Sequence, residues 1–194
     1  MTDLINKSPV ERQVNIGSNK GDIYFDKPTR IALLFKKLKE EAESQSGFTE
    51  SLQELQRYVT DQDGLGLEKK LSDGGYSSRE IDKAEERKQL FWMKAEKGIL
   101  YPSARKIYAL LLAKVIVDFE AYIEPLIFSK QPKEIVRVAL TERIIDPIFD
   151  LLNNEAGDDE VMLLNTEEIF GMIYYLTGRC HLNWTDYDTV SSGI

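Results

Sequence analysis

The stretch of sequence that decides the fold is Glu167-Glu168-Ile169-Phe170-Gly171-Met172-Ile173-Tyr174-Tyr175-Leu176-Thr177-Gly178-Arg179-Cys180-His181-Leu182-Asn183-Trp184. Asn165 precedes it and is spaced to form a capping box with Glu168, which predicts a helix start. Apolar residues then recur at helical spacing until Gly178, a residue typical of helix ends. The stretch is therefore predicted to be a capped amphipathic helix with a glycine stop and a short strand-like ending.

Helix signals recur through the first half of the chain. Proline suits a first helical turn, so one helix is predicted from Pro28 to about Glu43. A second helix starts at the capping residue Thr49, and a short one is expected around residues 67–71. The motif Ser77-Ser78-Arg79-Glu80 is a capping box, and it predicts the start of a longer, strongly charged helix.

The most apolar helix is predicted to begin at Pro102. Its apolar residues cover most of its sides, which is typical of a helix in the middle of a bundle. Pro125 should end or kink it, because proline lacks the backbone N–H group that an interior helix position needs. Pro132 opens another helix, whose pattern Pro147 interrupts. The fold class is therefore mainly α, a bundle of about six helices.

A β-hairpin is predicted near the N-terminus. Residues 13–16 and 22–25 alternate in polarity on either side of a turn rich in Gly and Asn. A two-stranded hairpin is marginally stable alone, so it needs a surface to lean on, within its own domain or on a partner. The predicted division is an N-terminal arm with the hairpin at 1–27, a helical bundle domain at 28–184 and a flexible tail at 185–194.

Composition excludes several classes of function. The chain has 194 residues, 42% of them hydrophobic, and a formal net charge of −8, which argues against duplex nucleic acid as the primary ligand. The most apolar segment, residues 107–128, contains four charged side chains, so it does not predict a membrane helix. One cysteine forms no internal disulfide, and the N-terminus has no signal-peptide pattern. The predicted location is the cytoplasm.

Reactive side chains are scarce. A structural zinc ion usually takes four Cys or His ligands, and Cys180 and His181 are the only residues of these types. Adjacent residues of an extended segment point to opposite sides, so they do not predict a catalytic dyad either. The expected roles are a buried thiol and a histidine hydrogen-bonded near the helix end. The sequence therefore predicts no enzyme, no cofactor and no metal site.

Aromatic and apolar residues are the remaining candidates for function, as anchors at an interface or as core residues. Hairpin residues are candidates because an exposed strand edge can pair with a partner. The candidate interaction residues are Ile16, Ile23, Tyr24, Phe25, Phe91, Trp92, Tyr174, Tyr175 and Trp184.

The stretch from Ile169 to Trp184 resembles the C-terminal helical domains of bacterial ABC-three-component defence systems, the group that includes Lamassu. Such domains close with a helix, a Gly-x-Cys-His turn and a Trp or similar residue, as Gly178-Arg179-Cys180-His181 and Trp184 do here. Residues 101–128 fit the resemblance loosely. The segment 15–24 is similar to the short glycine-rich segments that often precede these domains.

The resemblance implies a protein that works beside an SMC-like or ABC-type ATPase and an effector, often a nuclease. Larger members carry an N-terminal effector domain, whereas nothing before residue 100 of this chain resembles a nuclease. The expectation is a stand-alone accessory subunit, or an excised C-terminal part. The matching stretch is structural, so no catalytic residue is carried over from the family.

Three functional hypotheses follow. The first is a non-catalytic accessory subunit or interaction domain of an antiphage complex, which docks an effector to the ATPase. The second is a homo-oligomeric scaffold or regulatory protein with no role in defence. The third is a degenerate nuclease that uses Glu120 and Glu124, which are spaced to share one helix face, although solvated surface acids explain the pair more simply.

Overall fold

The computed structural model describes residues 27–44, Leu55, Tyr58 and residues 64–187. This part of the chain is helical and contains no strand. It forms six helices: α1 (Arg30–Ser44), α2 (Gly66–Asp73), α3 (Ser78–Gly98), α4 (residues 102–128), α5 (residues 133–155) and α6 (Thr166–Gly178). The mainly helical fold is therefore confirmed, whereas the predicted hairpin at 13–25 lies outside the described residues.

Both capping boxes predicted from the sequence are present. Ser77 and Glu80 cap α3, and Asn165 and Glu168 cap α6. In each box the N3 glutamate accepts a hydrogen bond from the backbone N–H of the capping residue. The Asn165 side chain also accepts from the Glu167 backbone N–H at 2.8 Å, whereas the Ser77 hydroxyl donates to the Glu80 carboxylate at 2.7 Å. The bonds from backbone N–H groups satisfy donors that a helix start otherwise leaves unpaired.

Helices α4 and α5 each continue past the proline that was expected to interrupt them. In α4, the α-helix Pro102–Asp118 runs into a π-helical segment, Phe119–Ile123, and then into Glu124–Phe128. Pro125 therefore does not end the helix. A π-helical turn directly before the proline accommodates the missing donor and lets the helix continue.

The same arrangement recurs in α5. The α-helix Lys133–Leu140 passes through the π-helical segment Thr141–Ile145 and continues as Asp146–Glu155, with Pro147 in the first turn of that last part. A π-helical segment shifts the hydrogen-bond register by one residue. The apolar pattern on either side of Pro147 therefore stays on the buried face, although the prolines had suggested breaks.

Helix α6 lies in the middle of the bundle and packs most closely on α3. Glycine at position 171 allows this approach, because a Cβ atom there would lie 2.5 Å from the Phe91 Cβ and 2.6 Å from the Arg87 carbonyl oxygen. Ile169, Met172 and Leu176 of α6 are fully buried. Helix α4 is buried on most of its first four turns, as its apolar composition predicted.

Helix α1 packs on the start of α4 through Ile31, Phe35 and Leu38. The Glu41 carboxylate accepts hydrogen bonds from the Ser103 backbone N–H at 3.0 Å and from the Ser103 hydroxyl at 2.9 Å. A carboxylate at a helix N-terminus satisfies free backbone donors and interacts favourably with the helix dipole. Of the helix predicted after Thr49, Leu55 and Tyr58 are described and are helical and buried; its other residues lie outside the described part.

The strand-like ending predicted after Gly178 is wrong. Residues 179–186 form turns and irregular chain that fold back onto the bundle. Lys70 of α2, which is fully buried, donates to the Leu182 carbonyl at 3.2 Å and to the Asn183 side-chain oxygen at 2.7 Å. These bonds fix the segment to α2 and satisfy one of its backbone carbonyls.

No helix of the described residues is long and apolar enough to cross a membrane.

Candidate interaction groove

A groove of about 800 Å³ opens between α3 and α5, with α6 at its base. We call it the α3–α5 groove. Its lining comes from residues of α3, α5 and α6 and from one residue of the turn before α3: Tyr76, Glu80, Lys83, Arg87, Glu134, Arg137, Val138, Thr141, Glu142, Asp146, Phe170 and Tyr174. Volumes of this size are typical of sites that bind other molecules.

Aromatic rings form the base of the groove. Phe170 and Tyr174 lie one turn apart on α6 and stack with ring centroids 6.4 Å apart. Arg87 of α3 holds this base in place, because its guanidinium lies 4.6 Å from the Phe170 ring centroid. The same guanidinium pairs with both carboxylate oxygens of Glu167, at 2.7 and 3.0 Å. Burial alone lowers the pKa of Arg87, but the Glu167 pair raises it overall, so Arg87 stays charged.

Glu80 forms hydrogen bonds at the end of the groove that lies beside the start of α3. Its carboxylate accepts hydrogen bonds from the Ser77 backbone N–H at 2.8 Å and hydroxyl at 2.7 Å, and Lys133 of α5 lies 3.1 Å away. The Ser77 bonds lower the pKa of Glu80 to about 2, with a smaller contribution from Lys133 against the opposing effect of burial. Lys133 also lies 5.1 Å from the Tyr76 ring centroid, so this end joins α3, α5 and the preceding turn.

Two tyrosine side chains, Tyr76 and Tyr174, line the groove. Burial raises the pKa of Tyr76 and of Tyr174 above the ordinary value. The charge of Arg87 and its hydrogen bond are the main opposing effects on the pKa of Tyr174, and the charge of Arg137 opposes the shift at both tyrosines more weakly. Both phenols are therefore neutral at physiological pH and keep a hydrogen that can be donated. Arg137 of α5 lines the same groove and is exposed.

The wall contributed by α5 carries charge and one exposed apolar side chain. Val138 is 53% exposed. Glu134, Glu142 and Asp146 are exposed along the same helix. The π-helical segment Thr141–Ile145 sets the direction of this wall, since it rotates the residues that follow it. Segments of this kind are frequent at functional sites.

The structure places the sequence-predicted interaction residues in three different environments. Tyr174 lines the groove. Trp92 is half-buried and stacks on Tyr175 with ring centroids 5.2 Å apart and planes 6° apart. Phe91, Tyr175 and Trp184 are at most 4% exposed and pack inside the bundle. The remaining candidates, Ile16, Ile23, Tyr24 and Phe25, lie outside the described residues.

Several groove residues were not singled out from the sequence. Glu80, Lys83 and Arg87 recur at spacings of three and four on α3, and such a charged stripe is also typical of plain solvated surface. Phe170 and Tyr174 recur at a spacing of four, the same as core positions. Only the folded structure shows that these two stripes border one groove, because the position of α5 beside α3 and α6 cannot be predicted from the spacing of residues within α3 or α6.

Cys180 and His181 are used to end α6. The backbone N–H of His181 donates to the Leu176 carbonyl at 2.9 Å, and the backbone N–H of Cys180 donates to the Thr177 carbonyl at 3.0 Å. These are the two bonds of a Schellman motif. Cys180 occupies its left-handed position, with φ of 68°, which glycine usually fills. The thiol is buried and forms no disulfide. The predicted buried thiol is therefore confirmed.

Glu120 and Glu124 lie in the last part of α4, where the helix passes through its π-helical segment. Glu120 is inside the segment Phe119–Ile123 and exposed, and Glu124 follows it. Burial raises the pKa of Glu124, and the charge of Glu120 adds to the shift. Among the residues that the structure describes, no group of three or more His, Cys, Asp or Glu side chains is placed to hold a metal ion.

Trp184 closes the bundle beneath α6. Its indole N–H donates to the Thr177 hydroxyl at 2.9 Å, and its ring meets Tyr76 and Phe119 edge-on, with centroids 5.1 and 5.3 Å apart. Tyr76 lines the groove on its other side. The closing tryptophan therefore supports one wall of the groove from within the core.

Comparison with known proteins gives one relationship. Neither the curated proteins nor the solved structures gave a significant match. A family model matches residues 66–184, which is more than half of the chain and includes every residue that lines the groove. It confirms the resemblance seen in the sequence, and membership of a multi-component system implies partner components. The chain belongs to the family described as C-terminal domain 9 of the ABC-three component systems.

Proposed function

We propose that this chain is a non-catalytic interaction domain of an antiphage ABC-three component system, and that it docks a partner component in the α3–α5 groove. The observation that supports this proposal most directly is that the open groove lies wholly within residues 66–184, which the family model matches. The family description names a system of several components, and an accessory domain of such a system needs a docking surface. The partners proposed are the ATPase and the effector.

The composition of the groove supports this role. Binding surfaces between proteins are enriched in aromatic and Arg side chains at their centres and carry charged residues at their rims. The groove has Phe170 and Tyr174 at its base with Arg87 beside them, and charged α5 residues at its edge. A segment of a partner that buries Val138 and Phe170 would remove apolar surface from water, which stabilises the complex.

The placement of the reactive residues also supports a non-catalytic role. The single His and Cys form the end of α6, where their backbone groups complete a helix-capping motif. Lys70, a buried lysine, is engaged by Leu182 and Asn183. The backbone groups of Cys180 and His181 and the side chain of Lys70 therefore have structural roles that account for their positions without a reaction.

Co-purification tests the proposal. The chain would be co-expressed with the ATPase and effector components encoded beside it, and complexes would be isolated through a tag on the chain. Val138→Glu places a charge in the groove, and Val117→Glu is a matched control, because Val117 is 60% exposed on α4 and does not line the groove. We expect wild type and Val117→Glu to retain a component and Val138→Glu to lose it.

Two outcomes would contradict the proposal. In one, wild type retains neither component although both are produced in folded form. In the other, Val138→Glu retains the component as well as Val117→Glu does. Turnover of a nucleic acid by the homogeneous chain with magnesium or manganese, lost in a Glu120→Ala, Glu124→Ala double variant, would instead favour the nuclease hypothesis. A homogeneous oligomer that binds no component would favour the scaffold hypothesis.

A further inference from the structure

Two cations of the α3–α5 groove have no acidic partner among the described residues. Lys83 of α3 and Arg137 of α5 line the groove and are exposed, and no ion pair joins either of them to a described carboxylate. The other cations nearby are engaged: Arg87 pairs with Glu167, and Lys133 pairs with Glu80. The groove therefore offers two positive charges that a bound molecule can neutralise.

Phenol groups accompany these cations. Tyr76 and Tyr174 line the same groove. The negative charge of Glu80 and the positive charge of Arg137 act on both phenols, and Lys133 pairs with Glu80 and neutralises it. Neutral phenols donate a hydrogen bond, and a guanidinium donates two that match the two oxygens of a carboxylate. Donors on α5, on α6 and on the turn before α3 therefore line one groove, and this set of donors suits a carboxylate.

Acidic residues define what the groove rejects. Glu134 lies three residues before Arg137, and Glu142 and Asp146 follow it along α5. Asp146 is nine residues further along α5 than Arg137. A polyanion such as a nucleic acid strand would meet these three carboxylates, and like charges repel. A polypeptide with one acidic residue and basic residues after it matches both charge regions.

We propose that the centre of the groove recognises a single carboxylate side chain of the docked partner segment, through Arg137, Lys83 and the two phenols, while basic residues of that segment face Glu142 and Asp146. The inference rests on the proposed docking function and names the chemistry of its partner. The apolar part of the segment lies on Phe170 and Val138.

A pair of peptides tests this chemistry on the whole chain. The probes are acetyl-Leu-Phe-Glu-Leu-Lys-Lys-amide and the same peptide with Gln in place of Glu. Binding is followed by NMR through the side-chain N–H signals of arginine and the ring signals of tyrosine. Because charge-assisted hydrogen bonds are stronger than neutral ones, we expect the Glu peptide to bind about fivefold more tightly. The Arg137, Tyr76 and Tyr174 signals should move.

Variants locate the effect. Arg137→Gln should remove the preference for the Glu peptide, and it should fold normally because Arg137 is exposed. Lys97→Gln is the matched control, since Lys97 is exposed on α3 but does not line the groove. It should keep the full preference. An unchanged preference in Arg137→Gln would overturn the proposal.

Three further results would overturn it. The first is equal binding of the Glu and Gln peptides. The second is no movement of the groove signals at about 10 mM peptide, a concentration at which a millimolar site is nearly filled. The third is a larger response of Arg137 to oligo(dT) or to inorganic phosphate than to the Glu peptide. None of these needs a system component, so failure of this inference is distinguishable from failure of the docking function.

Discussion

Gly171→Ala is the substitution that most sharply tests the packing of the bundle. Helix α6 crosses α3 at this glycine, and an added Cβ would lie 2.5 Å from the Phe91 Cβ and 2.6 Å from the Arg87 carbonyl oxygen. Carbon atoms in contact prefer a separation of about 3.5–4.0 Å, so the two helices would have to move apart by about 1 Å. Neither neighbour is the end of a flexible side chain, so the backbone must move.

The change in the free energy of unfolding that Gly171→Ala causes is the sum of two opposing effects. Overpacking of a core costs about 1–3 kcal/mol or more, and Ala gains about 1 kcal/mol over Gly in a helix. A backbone clash with two atoms belongs at the upper end of the first range, so a net loss of about 2 kcal/mol is expected. In a chain of this size such a loss lowers Tm by about 6 °C.

Gly178→Ala provides the control. A Cβ at position 178 would lie 3.5 Å from the Lys88 Cδ and 3.6 Å from the Leu67 Cβ, which is ordinary contact. Gly178 is the last residue of the same helix. Replacement by Ala should therefore leave stability unchanged or raise it by about 0.5 kcal/mol.

Urea unfolding followed by circular dichroism measures both variants. A Gly171→Ala protein as stable as wild type would refute the close crossing of α3 and α6. Equal destabilisation by Gly171→Ala and Gly178→Ala would refute it as well, because the difference between the sites is the basis of the argument.

Other predictions concern the end of the chain and the start of α3. Lys70→Met leaves the Leu182 carbonyl and the Asn183 side chain without their buried donor, so the free energy of unfolding should fall by about 2 kcal/mol. Lys69→Met, at a site where the side chain is 59% exposed, should cost less than about 0.5 kcal/mol. Equal effects of the two substitutions would contradict the buried contact. The lowered pKa of Glu80 gives stability that is complete above the ordinary value of 4.5 and lost as pH falls towards about 2. Because Glu80 is only partly buried, this contribution is about 1 kcal/mol or less, and Glu80→Gln should flatten the stability profile between those pH values; a profile identical to wild type would show that the Ser77 bonds do not hold the carboxylate.

The sequence predicts the local elements of this fold well, for identifiable reasons. The two capping boxes at Ser77 and Asn165 depend on side chains three residues apart, so they can be read without knowledge of the rest of the chain. The apolar surface of α4 likewise predicts its burial. In contrast, Pro125 and Pro147 suggested interruptions, because a sequence pattern does not show that a π-helical segment will accommodate a proline.

The groove was not predictable in the same way. Tyr174 was recognised as a candidate, but Tyr76, Arg87 and Arg137 come from three segments whose proximity depends on how α3, α5 and α6 pack. The strand-like ending was wrong for a related reason. Leu182 and Trp184 alternate as in a strand, yet both are buried. Lys70, Tyr76 and Phe119, which contact this segment, all lie far from it in sequence.

Side-chain footprinting by hydroxyl radicals tests the central claim most directly. The reactivity of each residue would be compared between the chain alone and the chain in complex with a component of its system. The account predicts that Val138, Phe170 and Tyr174 lose reactivity on binding, while the exposed side chains of Leu33, Met93 and Val117 outside the groove keep theirs. Unchanged reactivity at the groove, with protection at Leu33 or Met93, would contradict it.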